Sequence, residues 1–271
     1  MNEQVVTPSY KELAPRSVAD ALRSLAVPFG CPVGFLETAR VTSFSRQSTS
    51  DAIVRTFVRG ATAVVSAPNP DACDLELDDS AVQELVDLTD SEDSAGTIVW
   101  VNGLRLEIDD DPAALVMADD GTFVTQIARM PASLVVNPQR SVLDMLRMEV
   151  SAQEWTQGGG DLPVRQSVGA LAGGVLVALA TVEHPVGRMA RLRVIVAPKY
   201  RKRGFGKLVA HELARRILGQ GLLPFCRLAL GDIASRALAG AVGFVTFARS
   251  LSMRVVTVRE DQVSHAGESR G

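Results

Sequence analysis

The residue types that could do chemistry crowd into one short stretch of this 271-residue chain. Arg201, Lys202, Arg203 and Lys207 surround Gly204 and Gly206. Such a cationic glycine turn suits a polyanion. Glycine allows close approach of the backbone to a phosphate, or a positive φ. If a helix starts just after the turn, its free amide N–H groups and its dipole favour negative charge at the same place. The flanking residues supply those elements. Leu192 to Val196 is a β-branched run that ends at Ala197-Pro198, and Leu208 or Val209, Leu213 and Ile217 recur about four apart, as on one face of a helix.

Two nucleotide motifs fail here. The third glycine of a dinucleotide fingerprint would fall at Val209, and no Gly-Lys-Ser/Thr is present for a P-loop. Composition narrows the partner further. The net charge is −3 with a pI near 5.7, which argues against a general nucleic-acid binder. Ten Lys/Arg and one acid, Glu212, lie between Arg188 and Arg216, so the positive charge is local. At 46% hydrophobic and 22% charged, the chain should bury a substantial core. Three scattered cysteines (Cys31, Cys73, Cys226) form no C-x-x-C, and the three histidines show no ligand spacing, so no metal site is expected. Asp109-Asp110-Asp111 lacks calcium-loop spacing. The longest apolar run, Val168 to Val182, carries three glycines and is shorter than the roughly 20 residues of a membrane span. With no signal pattern at Met1 to Lys11, a soluble cytoplasmic protein without membrane partner is expected.

The positioning elements follow from periodicity. The pattern predicts a helix from Ser17 to Leu25, ending before Pro28, and irregular chain with short extended pieces over 27–50. Ile53 to Val65 reads as helix or strand, then strand, and Ser80 as the cap of a helix through Leu88. Ile98 to Ile108 reads as a hairpin about Asn102-Gly103, broken by the aspartates and Pro112. Thr122 to Ile127 starts a strand or helix. A strand at Leu134 to Val136 and one long helix from Pro138 to Trp155 come next, then a flexible Gly158-Gly159-Gly160 connection. Strands at Val164–Ala172 and Val175–Glu183 turn at Gly173-Gly174, and a third covers Arg188–Ala197. The helix over 206–219, a strand at Leu222–Leu230, a helix at Ile233–Val242 and strands at Phe244–Phe247 and Ser252–Val258 close the order. Three parts are expected: a smaller α/β domain over 1–129, a second over 130–258, and a disordered tail over 259–271.

The R-x-x-G-x-G of Arg201, Gly204 and Gly206, preceded by Val194, Val196 and Pro198, closely resembles the acetyl-CoA-binding motif of the GNAT superfamily of N-acyltransferases. A downstream element of that family, Asn-x-x-Ser/Ala then Leu-Tyr then Gly-Phe, is matched at Ser235, Leu238, Gly243 and Phe244. Two positions depart. Asp232 stands where Asn is usual, and Ala239 where the family often places a general-acid Tyr. The resemblance covers roughly residues 130–258. It implies an α/β fold with a mixed, mostly antiparallel sheet flanked by helices. On this resemblance the smaller domain before it would form one wall of an acceptor cleft or be a degenerate copy of the same fold.

The resemblance also implies roles. Val194, Ile195, Val196, Arg201, Lys202, Arg203, Gly204, Phe205, Gly206, Lys207 and Ser235 would contact acetyl-CoA as co-substrate. An amide of Val194 or Val196 would polarise the thioester carbonyl. The partner would be a small primary amine, and a homodimer is allowed. Transfer needs a neutral amine, a held oxyanion and a thiolate leaving group of pKa about 8.5, which can depart without an acid. Catalysis would then be mostly proximity. Glu183 and His184 are the candidate bases, because they end a strand beside the expected cleft; a polar strand exit before Pro185 is the plainer alternative. Asp232 would cap its helix with or without a ligand. His211 reads as a solvated residue on the helix surface, Cys226 as a buried inert thiol, and Trp100 and Trp155 as packing residues. The rival to an acyltransferase is a non-catalytic acyl-CoA sensor or scaffold, favoured by the missing Tyr.

Overall fold

A computed structural model describes residues 12–29, 31, 33–38, 41–45, 53–67, 78–91, 95–101, 104–127, 130, 132–163, 165–183 and 185–256. The chain opens with α1 (Pro15–Phe29), α2 (Val33–Glu37), β1 (Val41–Ser45), β2 (Ile53–Arg59), β3 (Thr62–Ala67), α3 (Asp79–Asp87) and β4 (Ile98–Val101). It continues through β5 (Leu104–Met117), β6 (Ser133–Val136), α4 (Arg140–Met148), α5 (Ala152–Gln157), β7 (Ser167–Ala172), β8 (Val175–Val182) and β9 (Met189–Val196). It closes with α6 (Phe205–Gly219), β10 (Leu223–Ala229), α7 (Ile233–Val242) and β11 (Val245–Val255). Among the described residues no helix is long and apolar enough to cross a membrane.

The elements fall into two compact units, neither continuous in sequence. One takes the chain up to Pro28 and Ala114–Ala248; the other takes Phe29–Ala113 and the chain from Arg249 on. The single boundary expected at residue 129 is therefore not where the contacts divide. The physical reason is strand pairing. The second half of β11 pairs antiparallel with β2, from Arg249 opposite Val58 to Arg254 opposite Ile53, so late chain completes the early unit.

The unit that carries the glycine turn is a sheet in the order β5-β10-β9-β8-β7-β6. Pairing is antiparallel from β6 through β9 and parallel between β9 and β10. Side chains alternate across the sheet. Ala178, Ala180, Val194 and Val196 meet Val209, Leu213 and Ile217 of α6 on one face. Leu179 and Ile195 meet Leu143, Leu146 and Trp155 of α4 and α5 on the other. Each fully buried valine, leucine or isoleucine among them contributes about 1.5–3 kcal/mol of burial free energy. The mixed, mostly antiparallel sheet with flanking helices is the architecture expected from the sequence. In the other unit β1, β3, β2, β11 and β5 are neighbours in that order, β4 pairs β5, and α3 packs Val82 and Leu85 into a core with Val54, Val65 and Ile108.

Several local expectations are corrected. The helix α1 runs through Pro28, because Leu22, Leu25, Ala26 and Phe29 are all buried and a proline in the last turn removes only one bond. Asp78, not Ser80, caps α3, accepting from the Ala81 amide at 2.8 Å. Strand β5 does not break at the aspartates. Asp109 pairs with Arg254 and Asp111 accepts from the Ala95 amide at 2.7 Å, so their charges are met while the backbone stays extended. The expected long helix is two, since Ser151 and Glu154 form a capping box that starts α5 afresh. The glycines after it are packed, not a loose connection. A Cβ at Gly160 would lie 2.2 Å from the Trp155 ring, and one at Gly158 would lie 2.2 Å from Ile195. Thr122 to Ile127 is neither strand nor helix, and β11 is a single strand. The tail over 259–271 lies outside the described residues.

Asp119 explains the 119–124 turn. Its buried carboxylate accepts from the Ala14 amide at 2.7 Å and from the Gly121 and Thr122 amides at 3.0 Å. Burial pushes its pKa up, but the bonds from Ala14, Ser17, Thr122 and Gly121 outweigh that and hold it below the usual carboxylate value. The turn so fixed covers α6. His211, expected on a solvated surface, is buried: its Nε2 lies 2.7 Å from the Val124 carbonyl and its ring stacks on Phe123 at 4.8 Å.

Candidate functional site

The site begins with an unfinished pairing. Strand β9 pairs β10 only over Met189, Ala190 and Arg191, while its pairing with β8 continues to Val196. The Glu183 amide bonds the Arg191 carbonyl and the Ala197 amide bonds the Val177 carbonyl. Antiparallel alternation then turns the main-chain groups of Arg193 and Ile195 towards β8 and those of Val194 and Val196 towards the gap beside β10. The Val196 carbonyl accepts from Arg201 Nε at 3.1 Å. The remaining main-chain groups of Val194 and Val196 are therefore placed to pair with an extended, amide-bearing chain. Ile195 departs from its expected role, because its side chain lies in the α4–α5 core and its backbone faces β8.

The glycine turn stands at the open end of that gap. Gly204 has φ +87° and caps α6, and Lys202 has φ +56°. A non-glycine residue in this region costs about 1–3 kcal/mol and tends to mark a ligand clamp. Among the described residues the amides of Phe205, Gly206 and Lys207 have no backbone acceptor, as expected for the first turn of a helix. A Cβ at Gly206 would lie 2.7 Å from Leu238 Cδ1 and 3.1 Å from Val196 Cγ2, so only glycine lets the helix start sit this close to β9. The donor set fits a pyrophosphate: a row of amides at a dipole's positive end, framed by cations.

Not every basic residue is free to serve it. Arg201 Nη2 lies 2.6 Å from Glu154 Oε1, and Lys199 Nζ lies 2.7 Å from Glu149 Oε1. Hydrogen bonds from Ser151 first, then from Arg201, lower the Glu154 pKa, and the Glu149 bond raises that of Lys199. Arg203 stacks over Tyr200 at 5.2 Å. Lys202 and Lys207 have no ion-pair partner among the described residues. Phe205 contributes only its amide, since its ring is buried against Tyr200.

Helix α7 borders the loop through Leu238, and half-buried Ser235, one turn earlier, shares that face. Asp232 caps α7 by accepting from the Ser235 amide at 3.0 Å, the helix-cap role open to it from sequence. Ala239 is 4% exposed and belongs to the core, so it offers no proton donor.

Of the two candidate bases, His184 lies outside the described residues. Glu183 Oε2 accepts from Arg193 Nε at 3.1 Å and Nη2 at 3.0 Å and lies 3.3 Å from Arg191 Nη1. A proton taken there would displace a charge-assisted bond. Arg193 also donates to the Gln157 carbonyl at 2.9 Å, so the cluster anchors β9 to the end of α5. Cys226 is buried, and burial pushes its pKa up to about 12, an inert thiol. Sequence reasoning missed the Glu149 and Glu154 contacts to the loop, although Ser-x-x-Glu at 151–154 carried a signal of the helix start that brings Glu154 there. Among the described residues no cluster could hold a metal ion.

A parallel pair that stops short, a glycine turn opening the next helix and a second helix beside it are the arrangement that the resemblance to the GNAT superfamily implies. The model of the family described as FR47-like protein, which is GNAT-related, matches residues 167–255. Similar solved structures include a GNAT-family acetyltransferase from Colwellia psychrerythraea, at 18% identity over 56% of this chain and 57% of that one, TM-score 0.44. Another is a GCN5-related N-acetyltransferase from Kribbella flavida, at 14% identity over 58% of this chain and 62% of that one, TM-score 0.41. The ribosomal-protein-S18-alanine N-acetyltransferase from Escherichia coli matches at 14% identity over 48% of this chain and 97% of its own, TM-score 0.35. The chain thus spans under two thirds of the first two, and likenesses at this level say nothing about substrate. No curated protein matches the sequence.

Proposed function

We propose that this protein transfers an acetyl group from acetyl-CoA to a small primary amine. The observation that carries the reading is the gap beside β9: among the described residues the main-chain groups of Val194 and the amide of Val196 have no strand partner there, and the gap leads to the first-turn amides of α6. Acetyl-CoA would supply the activated acyl group. The loop amides with Lys202 and Lys207 would hold its phosphates, and Ser235 would lie beside them. The edge of β9 would pair with its amide-bearing arm, and the Val194 or Val196 amide would donate to the thioester oxygen. Ala239 offers no acid, so the thiolate would leave unaided, which its pKa of about 8.5 permits. Rate would come from holding the amine against the carbonyl.

The buried Ala239 also favours a second reading, a sensor that binds acyl-CoA without turnover. One experiment separates them. Calorimetric titration with coenzyme A is followed by thiol release from acetyl-CoA with a panel of primary amines. Saturable binding with amine-dependent thiol release is expected. Binding without release on any amine leaves the sensor, and failure to bind overturns both.

A further inference from the structure

At the far end of α6 from the glycine turn lies a cavity of about 340 Å³. Its lining residues on α6, Leu213 to Gly219, lie about 12–21 Å along the helix from Phe205, and it shares no lining residue with the site described above. Its floor is apolar, built from Val182 of β8 and Leu213 and Ile217 of α6. Three arginines, Arg165, Arg215 and Arg216, line it with neutral polar residues such as Asn137 and Gln166, and no carboxylate lines it among the described residues.

The charge does not cancel. Glu212 accepts from Arg215 Nη2 at 2.8 Å and Nε at 2.9 Å, and from Arg216 Nε at 2.7 Å. One carboxylate against two guanidiniums leaves one positive charge, and both arginines keep unused N–H donors. Arg165 is exposed, has no ion pair among the described residues and adds a second positive charge. Cations near a helix C-terminus also complement its dipole. That role calls for neither an apolar floor nor Arg165, which is on no helix. A floor of three aliphatic side chains under a cationic rim matches a molecule with an apolar body and one anionic end. The planar guanidinium fork pairs bidentately with a carboxylate at that end, and the apolar floor favours an organic anion over free phosphate. The volume falls at the small end of ligand sites.

We propose that this cavity is a binding site for a small apolar carboxylate, separate from the glycine-turn site. The test uses the full-length protein and phenylacetate as probe, followed by ligand-observed NMR and calorimetry. Saturable phenylacetate binding is expected, with phenylacetamide and inorganic phosphate not binding. Arg165→Gln, at an exposed residue without an ion pair, should weaken phenylacetate about tenfold, the loss of one charge-assisted hydrogen bond, with the melting temperature unchanged. Coenzyme A should not displace the probe. Equal binding of phenylacetamide, displacement by coenzyme A, full affinity in Arg165→Gln, or no saturable phenylacetate binding would each overturn the proposal.

Discussion

Replacing Gly206 by alanine tests the close approach on which the phosphate site depends. The added methyl would stand 2.7 Å from Leu238 Cδ1, 3.1 Å from Val196 Cγ2 and 3.9 Å from Val194 Cγ1. Leu238 ends in a flexible methyl that can rotate away, but valine is stiff at χ1, so part of the shift must come from α6 itself. Overpacking of one methyl costs about 1–3 kcal/mol, and alanine recovers up to about 1 kcal/mol of helix propensity. The net loss of stability should be about 0–2 kcal/mol, and the fold survives. The consequence for binding is larger. If α6 moves by a few tenths of an ångström, the amides of Phe205, Gly206 and Lys207 move with it. Loss of one amide bond to a charged phosphate is worth about 1.5–3 kcal/mol, or roughly 10- to 150-fold in affinity. Calorimetric titration of coenzyme A against both proteins reads this directly, with urea unfolding as the stability control. Unchanged affinity in a folded Gly206→Ala protein would refute the placement of the phosphates at this helix start.

Two further outcomes follow from the ion pairs. Glu154→Gln keeps the capping box, since glutamine serves at that position, but releases Arg201. Because the pair is about 40% exposed, coenzyme A affinity should rise only about two- to fivefold at low salt and converge with wild type at high salt; a fall in affinity would refute competition between Glu154 and the phosphates. Asp119 is held ionised by hydrogen bonds, so its folded pKa lies below its unfolded value. Its contribution is therefore complete above the unfolded value near 3.9 and is lost as pH falls through the folded pKa. Asp119→Asn should cost about 1.5–3 kcal/mol at neutral pH in urea unfolding, and the deficit should shrink on acidification below that range; a constant deficit would show that charge plays no part.

The glycine turn was legible because its chemistry is local. Arg201, Gly204 and Gly206 sit between a strand and a helix whose periods are plain in the sequence, and the hairpin at Gly173-Gly174 is equally local: both glycines have positive φ, +58° and +82°. The downstream Ser235 to Phe244 element tied the turn to α7 for the same reason. What misled was any residue whose fate depends on distant chain. His211 looks solvated on a helical wheel, yet the Asp119 turn, about ninety residues earlier, covers it. The aspartates before Pro112 look like a break, yet Arg254 meets Asp109. The three glycines after α5 look flexible, yet Ile195, Thr181 and Trp155 in turn fill the space their side chains would need.

Sequence alone therefore determined the strand and helix on either side of the glycine turn, the turn between them and the ligand class the turn suits, since backbone freedom and helix-end charge are properties of a few neighbouring residues. Only tertiary structure decided that the main-chain groups of Ile195 face β8 while those of Val194 and Val196 face the gap. It also decided that Glu183 is held by two arginines, that Glu154 restrains Arg201, and that the chain from Arg249 on returns to the unit begun at Phe29. These depend on strand register and on contacts between residues far apart in sequence, where a one-residue shift exchanges the two faces of a strand.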